Sequence, residues 1–146
     1  MSLSGRKTLS DIEFLMKKEF DSKLRTAEGT LSVTGDLATL TANSGKDMYL
    51  AKAKVSARSE TTNTSNDVAI VELKVNGAVK ATWVCQLNVT SSGAGTTNPS
   101  YEFVVSGLKV AATEIIKLEV ISLNANVEVS GELVVVEETT GESPVI

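Results

Sequence analysis

Histidine is absent from the 146 residues, and Cys85 is the single cysteine. The first absence removes the commonest general base near neutral pH, the usual nucleophilic triads and most zinc and iron sites. The second excludes an intrachain disulfide and any two-cysteine metal or redox motif. Stability must come from packing or from association. No apolar run reaches the roughly 18 residues that read as a membrane-spanning helix. The opening MSLSGRKTLS lacks the apolar stretch of a secretory signal, and its first residues fit an expression-vector remnant. The expectation is a soluble chain made in the cytoplasm and suited to incorporation in a virion.

Concentrated positive charge is also missing. The 14 Lys and Arg are scattered among 18 Asp and Glu, giving a net charge of −4 and a pI near 4.9. Neutralising phosphates needs clustered Lys and Arg, so nucleic acid and anionic membrane surfaces are not expected partners.

The length suits one domain with its own core. Between residues 8 and 25, Leu9, Ile12, Leu15, Met16, Phe20 and Leu24 recur at steps of three and four, along one side of a helix. Ser10 and Glu13 form a capping-box pattern, and Gly29 suits a stop just past the end. The expected organisation is an arm over residues 1–28 with a helix at about 10–25, a β-sandwich over 29–138 and a flexible tail over 139–146. About four helical turns are marginal alone in water, so the stripe must bury against the body or against copies of itself.

After Gly29 the apolar period becomes two. Short strands are expected over residues 30–34 and 37–41, with a longer one over 48–57 after the Asn43-Ser44-Gly45-Lys46 turn. Asn76-Gly77, between the alternating runs 68–75 and 79–87, is the strongest hairpin signal, because both residues accept the positive φ of a two-residue turn. Ala69, Val71, Leu73 and Val75 share one face of the first run. Val79, Ala81, Trp83, Cys85 and Leu87 share one face of the second, which puts Trp83 and Cys85 in the core. Further alternation covers 101–106, 116–120 and 127–135. About eight strands spaced by turns predict an all-β antiparallel sandwich, with a jelly-roll or Greek-key path favoured.

Several outward positions are apolar: Val68, Ile70, Val84, Val104, Ile115, Ile121, Leu123, Val134 and Val136. Exposed β-branched surface of this kind invites association unless something covers it. Self-association is the economical expectation, with cover by the helix or a second sheet as the alternative. The expected interface comprises Leu9, Ile12, Met16, Phe20 and Leu24 from the helix, with Val134 and Val136 from the last strand.

Candidate chemistry is sparse. Cys85 is in phase with Trp83 and Leu87 and reads as a buried structural thiol. Glu128, Glu132, Glu137 and Glu138 are the densest carboxylates, but Glu128 and Glu132 stand roughly 13 Å apart along a strand, too far for glycosidase geometry unless Gly131 bulges. An all-oxygen Ca2+ site needs no histidine. Asn43, Ser44 and Asp47 in one turn, and Asn63, Asn66 and Asp67 in another loop, are its donors, but both lack the acidic density of a known calcium loop. No cofactor is expected. The uncharged stretch from Ser91 to Ser100 has no aromatic ring for a sugar to stack on, and only Tyr101 at its edge supplies one.

A short helix leading into a Ser/Thr/Val-rich, cysteine-poor sandwich with an Asn-Gly hairpin resembles small phage or virus particle proteins and the trimeric jelly-roll modules of appendages. The resemblance implies assembly of a particle or tail structure, although an aromatic-rich receptor loop is missing. The expected function is thus a non-enzymatic structural module working as a homo-oligomer, a trimer first, with itself, other particle proteins or a surface glycan as partners. The alternative is a carbohydrate-binding module using the end loops, with Asn63, Asn66, Asp67, Thr96, Asn98 and Tyr101 as ligand contacts. A carboxylate-dependent hydrolase is the third and least supported class.

Overall fold

A computed structural model describes residues 23–59, 67–87 and 108–141, and the backbone of 101–103. Nine strands follow in order: β1 (Leu24–Leu31), β2 (Gly35–Thr41), β3 (Lys46–Ser59), β4 (Asp67–Val75), β5 (Ala78–Leu87), β6 (Tyr101–Phe103), β7 (Lys109–Val110), β8 (Ile115–Leu123) and β9 (Val127–Thr139). The first sheet has the order β1-β9-β3-β6, with β7 also paired to β3, and the second has the order β2-β8-β4-β5. Every pairing is antiparallel.

This order is a jelly roll. The chain crosses between sheets at each step except the β4-β5 hairpin and the step from β6 to β7, which both pair with β3, and first strands neighbour last strands, as in a long hairpin rolled on itself. The hairpin turns through Asn76 (φ 50°) and Gly77 (φ 87°), both left-handed as a type I′ turn requires.

The core forms where inward positions of the two sheets meet. Leu50, Val55, Leu133 and Val135 come from the first sheet and Val71, Leu73, Ile116 and Leu118 from the second, all fully buried. Alternation alone does not account for β3, because Met48 and Leu50 are buried on even numbers and Ala53, Val55 and Ala57 on odd ones. A bulge between Leu50 and Lys52 inserts Ala51 and resets the phase against an unbroken β9. A similar shift in β5 corrects the expected facing of Val79. Leu73 pairs with Ala81 but Lys74 pairs with Val79, so Lys80 is the extra residue and Val79 turns outward, half exposed.

The junction between arm and sandwich also differs from expectation. The expected helix lies, up to residue 22, outside the described residues. Leu24 and Arg25 are strand, and Gly29 is no helix stop: it sits inside β1 opposite Gly131 of β9. A Cβ at Gly29 would run into the backbone carbonyl of Leu37 on β2. Glycine is there because β1 passes too close to β2 to carry a side chain.

Candidate functional site

The structure separates the sequence-derived candidates. Leu9, Ile12, Met16, Phe20, Asn63, Asn66, Thr96 and Asn98 lie outside the described residues. Leu24 pairs with Val136 at the start of β1 and is half-buried. Val136 is buried within the single chain, and Val134 is half-buried. Asp67 opens β4 opposite Leu87, and Tyr101 opens β6 opposite Val55.

The acidic residues of β9 hold strands together. Glu138 takes the Lys23 ammonium at 3.1 Å, Glu137 the Arg25 guanidinium at 3.1 Å, Glu132 the Lys52 ammonium at 3.1 Å, and Glu128 the Arg58 guanidinium at 2.8 Å. The candidate calcium turn does not converge. Asn43 donates to Glu137, whereas Asp47 is buried, accepts from the Ala112 backbone N–H at 3.0 Å and places its other oxygen 3.5 Å from the Lys109 ammonium. Asp47 thereby pins the turn after β7. Cys85 is fully buried, and burial pushes its thiol up to about 11.

Among the described residues, two surfaces stand out as places for recognition. The outer face of the second sheet carries a ladder of charges. Lys117 contacts Asp36 at 3.1 Å and Glu119 at 3.6 Å, and Lys74 contacts Glu119 at 2.7 Å and Glu72 at 3.4 Å. Hydrogen bonding to Lys74 lowers the Glu119 carboxyl, and the same bond raises Lys74; Lys117 is raised by its bond to Asp36. Beyond the ladder the face turns apolar. Val84 pairs with Ile70, Ile70 pairs with Ser122, and Ile121 sits in the irregularity beside them. Val84 is 48% exposed and Ile121 40%. This apolar end adjoins β5, which among the described residues has a strand partner on one side only.

The second surface is a trough of about 450 Å³ across the outer face of the first sheet. Cross-strand register builds it. Glu28, Glu132 and Lys54 stand in one row and Thr30, Ser130 and Ser56 in the next outward row, while Gly29, Gly131 and Val55 between them face inward. The Thr30 and Ser130 hydroxyls lie 3.1 Å apart. Sequence reasoning missed this set. Its signal was present as alternating outward polar residues on three segments, but only the register of β1 and β3 on β9 brings them into rows.

No protein-family model matches the chain, and no curated sequence is significantly similar to it. Among solved structures, the fold is similar to an SPBc2 prophage-derived protein, YomS, at 15% identity and a TM-score of 0.36, covering 76% of this chain and 94% of that one. It is also similar to the CBM36-1 domain of a multidomain xylanase from the hindgut metagenome of Trinervitermes trinervoides, at 18% identity and a TM-score of 0.33, covering 84% and 99%.

Proposed function

We propose that this protein is a non-enzymatic assembly module that works as a closed homo-oligomer, a trimer first, joined through the β5 side of its second sheet. The observation that carries this is the apolar row of exposed Val84 and Ile121 with half-buried Ile70, at a ten-residue strand that is an edge among the described residues. Edge strands of soluble monomers are usually shortened, charged or broken by proline. β5 has one charge, Lys80, near its hairpin end and no proline. Association covers the apolar row and the open edge together. Copies closing into a ring suit a particle or appendage made of repeated units, the setting that the chain's composition suggests.

Light scattering on the full chain tests this against its double variant Val84→Lys/Ile121→Lys. The expected wild-type mass is an integer multiple of 15.4 kDa, three by preference, and the folded variant is expected at 15.4 kDa. A wild-type monomer at every concentration overturns the reading, as does a variant that is folded and still fully assembled.

A further inference from the structure

We propose that the trough across β1, β9 and β3 is a binding site for an extended, neutral, polyhydroxylated chain, that is, a glycan strand. The site lies on the opposite sheet from the assembly surface and stands or falls separately from it.

The argument begins with side-chain length. Thr30, Ser130 and Ser56 are short, and the rows before and after them on β9 carry long charged side chains: Glu28, Glu132 and Lys54 on one side, the Arg58–Glu128 pair on the other. Rows on one face of a strand repeat about every 7 Å, so the hydroxyl floor lies between two raised walls. The trough runs across the strands, spanning about 10 Å from β1 to β3. Its volume of about 450 Å³ falls among small-ligand sites. An elongated ligand fits this shape.

Chemistry narrows the class. The lining offers two carboxylates as acceptors, one ammonium as donor, and three hydroxyls that do either. Sugar hydroxyls both donate and accept, so they match this mixed set. Glu132 is already steadied by Lys52, whereas the side chains of Glu28 and Lys54 make no hydrogen bond or ion pair with any described residue and are available to a ligand. With Lys52 paired to Glu132, two carboxylates balance two ammoniums, so the trough carries no net charge to attract an ionic polymer, and the ammoniums disfavour a bare cation. The site sits on paired strands, which hold its groups in place before binding. With no aromatic ring in the lining, recognition rests on hydrogen bonds, and the expected dissociation constant is about 1 mM.

The test is an amide NMR titration of the isotopically labelled full chain with cellohexaose, xylohexaose and maltohexaose, each to about 10 mM, tenfold above the expected constant. At least one hexasaccharide is expected to give saturable shifts at Thr30, Ser56, Ser130 and Glu132. Glu28→Ala and Lys54→Met, which remove no side-chain partner among the described residues, are each expected to weaken that binding about tenfold, the loss of one charge-assisted hydrogen bond. No saturable shift with any of the three overturns the proposal. So do shifts confined to other parts of the chain, or unchanged binding in both variants.

Discussion

Glycine at 29 and at 131 is where single residues matter most to the packing. The two are cross-strand partners facing inward, yet their neighbours differ in kind. A Cβ at Gly131 would meet the Leu37 Cδ2 at 2.5 Å and the Leu118 Cδ1 at 3.1 Å, the movable ends of side chains. At Gly29 it would meet the backbone carbonyl of Leu37, which gives way only if β1 and β2 separate. Gly131→Ala is therefore expected to cost about 1 kcal/mol and Gly29→Ala more than about 2 kcal/mol, compared by urea denaturation. Equal costs would place the close approach elsewhere. Only part of this was visible in the one-dimensional pattern. Gly131 reads as a break in an alternating strand, but Gly29, beside a run with helical spacing, reads as a stop, because nothing local shows a strand from elsewhere in the chain passing over it.

At the scale of the element, the outer ladder of the second sheet ties strands together by charge rather than by apolar contact. Lys74 on β4 bridges to Glu119 on β8, and Lys117 on β8 bridges to Asp36 on β2. Glu119 titrates in the folded chain below its ordinary value of 4.5, so on acidification the unfolded chain takes up the proton first. Its contribution is complete above about pH 4.5 and is lost as pH falls through the folded value. For Lys74 and Lys117, raised above 10.5, the contribution is complete below that pH and is lost as pH rises through their folded values. Thermal melts are expected to show Tm falling below about pH 4.5, with Glu119→Gln flattening that acid limb; an unchanged limb would mean the ladder contributes nothing. The strands themselves were legible from alternation. Their bulges were not, because Ala51 and Lys80 are ordinary residues in ordinary runs, and a phase shift shows only when a partner strand keeps count.

For the whole molecule, the position of β1 decides where the sandwich begins. Residues 24–27 pair with 133–136, and Lys23 and Arg25 hold Glu138 and Glu137. A chain starting at Glu28 is therefore expected to melt at least about 5 °C below one starting at Lys23. Equal melting would return the boundary to residue 29. The same location settles how the arm's part in assembly is examined: truncation must end before Lys23, or loss of a strand is mistaken for loss of an interface. The sequence by itself determined the class of this protein. Period-two alternation and the Asn-Gly hairpin dictate an all-β sandwich, and the single cysteine one without an intrachain disulfide, because alternation and turn chemistry are local. Only the tertiary structure decided the jelly-roll order, the apolar row beside β5 and the hydroxyl-floored trough. Each depends on register between strands dozens of residues apart, and a shift of one residue there moves every side chain to the opposite face.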